Sequence, residues 1–148
     1  MRVVIQRVKK ASVSIDEQIV GNINQGLLIL LGIENADTEN DVKWLVQKIL
    51  GLRIFSDAEG KMNLSVSDIQ GELLIVSQFT LFASTVKGNR PSFLKSAKPD
   101  ISIPLYEKFI EIIKEETSLN IATGQFGADM EVSLINDGPV TIIIDSKI

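Results

Sequence analysis

The first fifteen residues alternate in a way that suits a strand. Val3 and Ile5, then Val8, and later Val13 and Ile15, mark the alternation along an extended chain. This predicts one long strand, or two strands joined by a bulge. Asp16-Glu17 reads as a turn into a second strand over Gln18–Ile23. Gly26 to Gly32 is an apolar run between glycines, the pattern of a strand buried on both faces. The period then lengthens. Val42, Leu45, Val46, Ile49 and Leu50 define the inner face of a helix that Thr38 can cap, with Asp41 three residues on as in a capping box. Trp44 lies beside that stripe and is expected to pack.

Asp57 to Gly60 predicts a turn, and Gly71-Glu72 leads into a buried strand at Leu73–Val76. Ala83 to Pro99 shows little periodicity and holds Gly88, Pro91 and Pro99. A loop this long in a compact domain is usually functional or mobile. Pro104 is the expected start of a second helix, with Leu105, Phe109, Ile112 and Ile113 as its inner stripe. Met130–Ile135 and Val140–Ile144 read as two strands joined by Asn136-Asp137-Gly138-Pro139, since Asn-Asp-Gly is a hairpin signal. Strands at both ends with two main helices between them predict an α+β fold with a mixed, barrel-like sheet core.

A chain of 148 residues fits one domain spanning 1–148, and 45% hydrophobic content supplies a core. The start, Met1 to Ile5, runs into Gln6, Arg7, Lys9 and Lys10 rather than a secretory apolar region. The longest apolar run, Leu27–Leu31, is too short to span a bilayer, so a cytoplasmic location away from membranes is expected. The absence of cysteine excludes disulfides and thiol chemistry, and the absence of histidine removes Ser-His-Asp triads and histidine metal sites. Any catalysis must use hydroxyls, carboxylates, lysines, backbone dipoles or the substrate itself. The net charge of −4 argues against a nucleic-acid partner until its distribution is considered. Arg2, Arg7, Lys9 and Lys10 lie in an acid-free stretch, and so do Lys87, Arg90, Lys95 and Lys98.

Two segments concentrate polar groups. Ser77-Gln78-Phe79-Thr80-Leu81 follows a buried strand and offers two hydroxyls, an amide and several N–H groups, which can orient an ester or hold an oxyanion. It can equally be a strand whose polar residues face solvent. In Asn136-Asp137-Gly138-Pro139-Val140-Thr141, the proline removes an N–H where the next strand begins. No acidic cluster has ligand spacing, and neither metal nor cofactor is expected.

These two segments resemble the signatures of D-aminoacyl-tRNA deacylases. Lys87–Phe93, Leu105–Phe109 and Thr123–Met130 resemble further segments of that family, in order, so the likeness covers nearly the whole chain. The resemblance implies hydrolysis of the ester joining a D-amino acid, or glycine, to the terminal adenosine of tRNA. It implies a homodimer with active sites at the subunit interface. Gly138-Pro139 would be the family's cis dipeptide, reaching into the partner's site and rejecting L-aminoacyl esters by backbone contact. Asn136 and Thr141 flank that substrate-binding dipeptide, and Arg7 would support it. Ser77, Gln78, Phe79 and Thr80 would form the catalytic segment, with Thr80 either nucleophile or positioning group. With no histidine to activate Thr80, assistance by the ribose 2′-hydroxyl is favoured, with Phe79 N–H and Gln78 polarising the carbonyl. Phe126 and Met130 would contact the terminal adenine, though both also suit a core. Lys87, Arg90, Lys95 and Lys98 would meet tRNA phosphates. Rival readings are a sister enzyme removing an L-amino acid from tRNA, and a non-catalytic nucleic-acid-binding module.

Overall fold

A computed structural model describes residues 1–148. Eight strands and two helices run in the order β1 (Arg2–Ile15), β2 (Gln18–Ile23), β3 (Gly26–Gly32), α1 (Glu39–Gly51), β4 (Phe55–Ser56), β5 (Met62–Leu64), β6 (Glu72–Ser77), α2 (Pro99–Glu116), β7 (Ile121–Thr123) and β8 (Glu131–Asp145). A 3₁₀ turn, Phe79–Phe82, follows β6. The main sheet runs β2-β1-β3-β6-β7, with β8 along the other side of β1, while β4 and β5 form a separate ribbon. This is the mixed, barrel-like α+β core with two helices that the sequence predicts.

β1 is the spine. It is one continuous strand of 14 residues, and it pairs antiparallel with β2, β3 and β8. Val3, Ile5, Val8 and Val13 are buried, with Val8 out of phase with the others where the pairing with β8 shifts register. The turn to β2 uses positive φ at both Asp16 and Glu17, as a tight hairpin requires. β3 runs antiparallel to β1 but parallel to β6, and β6 runs parallel to β7. Central position explains why β3 and Leu73–Val76 of β6 are apolar without alternation.

α1 begins at the expected cap, where the Asp41 carboxylate accepts the Thr38 backbone N–H at 2.8 Å. Val42, Leu45, Val46 and Ile49 are buried, and Leu50 packs at the margin. Trp44 departs from expectation. It stands on the surface, 39% exposed, with Lys48 Nζ 5.4 Å above its ring.

α2 starts five residues before the predicted Pro104. Pro99 takes the first helical position, and Lys98 O accepts the N–H groups of Ile101 and Ser102, each at 2.9 Å. Pro104 lies in the second turn, where its missing N–H deprives only the Asp100 carbonyl of an intrahelical donor. The buried stripe is Ser102, Tyr106, Phe109, Ile112 and Ile113, so Tyr106 takes the inner place expected for Leu105. Burial pushes the Tyr106 phenol up to about 12.

The predicted terminal hairpin is absent. Residues 131–145 form one strand whose two halves both run antiparallel to β1. Glu131 pairs with Ser14, Asn136 with Val8, Thr141 with Gln6 and Asp145 with Arg2. Asp137 to Val140 are therefore a bulge opposite Arg7, not a reversal. The Asn-Asp-Gly signal reports local backbone chemistry that suits either structure. Pairing on both sides with β1 makes it a bulge here.

Candidate active site

β3, β6 and β7 are parallel, so their carboxyl ends open on the same side, where ligands of parallel sheets commonly bind. A cleft of about 530 Å³ lies there. Leu31 and Ile33 come from the end of β3, and Val76, Ser77, Gln78 and Phe79 from the end of β6 and the turn that follows. The loop before α2 contributes Phe93, Ser96, Ala97 and Lys98. Phe126, Ala128 and Met130 close the far wall. The lining is mainly apolar with a few convergent polar groups, as a small-ligand site requires.

The structure thus brings Ser77, Gln78, Phe79, Phe126, Met130 and Lys98 to one cleft. Thr80 is exposed and does not line it. It is tied to the cleft through Gln78, whose Nε2 donates to Thr80 Oγ1 at 2.5 Å. The chain leaves β6 through a hydrogen bond from Gln78 N–H to Leu31 O at 2.7 Å, then tightens into the 3₁₀ turn. At the head of such a turn the N–H groups of Phe79 and Thr80 have no intrahelical acceptor. The Phe79 ring is 57% exposed and meets Phe93 edge-on at 5.1 Å. Tyr106 packs behind Phe126, ring centroids 5.5 Å apart. Lys87, Arg90 and Lys95 are all exposed on the loop, outside the cleft lining.

Gly138 and Pro139 are exposed in the β8 bulge, and the peptide between them is cis. Two side chains hold the bulge. Arg7, 11% exposed, donates from Nε to Asp137 O at 3.0 Å and from a terminal nitrogen to Ile54 O at 2.6 Å, and its Nε lies 3.7 Å from Asp137 Oδ2. Asn136 accepts the Val140 N–H at 2.7 Å and donates to Thr141 Oγ1 at 3.2 Å. Gly138 has φ +135°, and a Cβ there would lie 2.8 Å from Val140 and 3.1 Å from Arg7, so glycine is required.

Bulge and cleft are not neighbours within one chain. Ser77 stands beside Leu31 and, through it, Val3, whereas the bulge faces Arg7, four residues along β1 and on its other side. At about 3.3 Å per residue and 4.8 Å per strand spacing, they lie roughly 20 Å apart. Sequence reasoning missed Phe93, Ser96 and Asp137. Phe93 and Asp137 fall inside segments the resemblance had marked, but no sequence pattern distinguishes Ser96.

Residues 4–145 match the D-Tyr-tRNA(Tyr) deacylase family. A D-aminoacyl-tRNA deacylase from Flavobacterium psychrophilum is 61% identical, covering 99% of this chain and 98% of its own. One from Cytophaga hutchinsonii is 63% identical with the same coverage. A solved structure described as a c-Myc DNA unwinding element binding protein superposes with a TM-score of 0.93 at 41% identity, covering 98% of each chain. A probable eukaryotic D-amino acid tRNA deacylase shares the fold, with a TM-score of 0.81 at 18% identity and 97% of each chain covered. The chain belongs to the D-Tyr-tRNA(Tyr) deacylase family. It is a hydrolase that acts on aminoacyl-tRNA.

Proposed function

We propose that the protein frees tRNA from D-amino acids, and from glycine, by ester hydrolysis, and that it excludes L-aminoacyl esters with the Gly138-Pro139 backbone of a second subunit. The observation that carries this reading is the separation of two prepared halves. One is a cleft with an apolar wall and the Gln78–Phe79 polar edge. The other is an exposed bulge braced by Arg7 and Asn136, too far away to serve the cleft of its own chain. In a homodimer, the partner's bulge can complete the cleft. Backbone suits a chiral filter, because it tests the substituents on Cα while ignoring side-chain identity.

Within the cleft, the terminal adenine would stack on Phe126 beside Met130, a contact worth roughly 1–3 kcal/mol per base. The ester carbonyl would then face Phe79 N–H, which supplies the oxyanion contact, with Gln78 nearby. Thr80 is held by Gln78 as a positioning group, and the ribose 2′-hydroxyl assists attack by water. Lys87, Arg90, Lys95 and Lys98 follow the phosphates, so binding weakens as salt rises.

The test compares D-tyrosyl-tRNA with L-tyrosyl-tRNA, and with D-tyrosyl-tRNA ending in 2′-deoxyadenosine, with EDTA in a parallel set. Rapid loss of the D ester alone, unaffected by EDTA and abolished by the 2′-deoxy terminus, is expected. Equal hydrolysis of both enantiomers would remove the filter. Full activity on the 2′-deoxy ester would remove substrate assistance. Retained tRNA binding with no turnover would favour a binding module instead.

A further inference from the structure

We infer that Ser96 is a positioning residue for the hydrolytic step, one that sets the direction of the Thr80 N–H through the carbonyl of Phe79. The inference rests on the deacylase reading of the cleft. Ser96 Oγ donates to Phe79 O at 2.8 Å across a sequence separation of 17 residues. A peptide unit is a rigid plane with its C=O and N–H pointing in opposite directions. Holding the Phe79 carbonyl toward Ser96 therefore aims the Thr80 N–H the opposite way. The preceding plane, which carries the Phe79 N–H, is held by a bond from Leu81 N–H to Gln78 O at 3.2 Å. Each of the two free N–H groups at the head of the turn is thus oriented by a hydrogen bond to the carbonyl of its own peptide plane.

Ser96 is itself well anchored. Its N–H donates to Phe93 O at 3.0 Å, it forms an isolated antiparallel bridge with Glu34, and the next residue, Ala97, donates to Ile33 O at 2.9 Å. The hydroxyl therefore connects the end of β3 to the polar edge of the cleft. The Thr80 N–H, next along the turn from that of Phe79, is then a second backbone donor to the developing oxyanion although the Thr80 side chain lies outside the cleft, and such donors must hold their direction within about 10–20°. A serine that fixes a peptide plane acts on turnover rather than on binding.

The test is Ser96→Ala and Ser96→Thr in the full-length protein, using D-tyrosyl-tRNA. Ser96→Ala should lower kcat about tenfold at unchanged KM. Ser96→Thr, which keeps the hydroxyl, should restore kcat. The Thr80 amide resonance should shift in Ser96→Ala and return in Ser96→Thr, a readout that does not depend on turnover. An unchanged kcat in Ser96→Ala overturns the inference. So does a raised KM at wild-type kcat, which would make Ser96 only a wall of the cleft, and so does an unmoved Thr80 amide. A folded wild-type protein without activity on D-tyrosyl-tRNA overturns the deacylase reading. Wild-type turnover with unaffected variants overturns the role of Ser96 alone.

Discussion

At Arg7 one guanidinium joins three parts of the chain. It sits on β1, donates to Asp137 in the β8 bulge and reaches Ile54 just before β4. Lysine would keep the charge but not the planar fork, which has donors at two fixed angles. Arg7→Lys therefore leaves one largely buried carbonyl without its donor, a loss of about 2 kcal/mol. The Tm of a chain of this size should fall by roughly 4–8 °C. The bulge would also loosen, so hydrolysis of L-tyrosyl-tRNA relative to D-tyrosyl-tRNA should rise. Wild-type Tm and unchanged discrimination in Arg7→Lys would show that the bulge keeps its shape without this support. The resemblance singled out Arg7 for this place, whereas nothing in the sequence revealed Ser96 or the partnership of Asn136 with Val140. Such side-chain contacts depend on the meeting of segments far apart in the chain, and local pattern does not record that meeting.

The elements that local pattern did reveal are those with one dominant period or a complete cap. β1 showed its alternation, β3 its buried run and α1 its stripe and capping pair. Where pattern misled, another interaction decided. Pro99 and Lys98 start α2 before Pro104, and pairing with β1 straightens the supposed hairpin into β8. The close approach of β3 to β6 was equally hidden. A Cβ at Gly26 would fall 1.8 Å from Glu72 O and 2.6 Å from Glu72 N, backbone atoms that cannot move aside without parting the sheet. Gly26→Ala should cost more than about 4 kcal/mol and yield little folded protein, and wild-type thermal unfolding of this variant would refute the packing. The α1 cap makes a pH-dependent prediction. Burial raises the Asp41 pKa, but hydrogen bonds from Ser146, Lys147 and Thr38 outweigh it and hold the carboxyl well below the ordinary range. A folded-state pKa below the unfolded value of about 3.9 stabilises fully above that pH and loses its effect as pH falls below it. Asp41→Asn should thus lower Tm at pH 7, with the gap from wild type narrowing by pH 3. A gap that stayed constant between these pH values would place the carboxylate's contribution elsewhere.

For the molecule as a whole, the distance between bulge and cleft sets the decisive experiment. If each active site draws its cleft from one subunit and its Gly138-Pro139 from the other, two differently damaged subunits can repair each other. Gln78→Ala damages the cleft and Gly138→Ala the bulge, where a Cβ would press on Val140 and Arg7. Each variant alone carries the same defect in both sites of its homodimer and should be nearly inactive on D-tyrosyl-tRNA, Gly138→Ala because a bulge pushed off its support no longer closes the cleft over the bound ester. In a heterodimer of the two, one site receives both defects and the other receives neither. Random exchange between equal amounts gives half heterodimers, so about a quarter of wild-type activity should return. β8 makes such an assembly plausible on physical grounds. It pairs only with β1, so its outer edge is unpaired over 15 residues, and Ile143 on the strand itself is 68% exposed. No recovery after subunit exchange, verified by mass difference in native mass spectrometry, would mean that cleft and bulge serve separate purposes. The chiral filter would then have to be sought within the walls of a single chain's cleft.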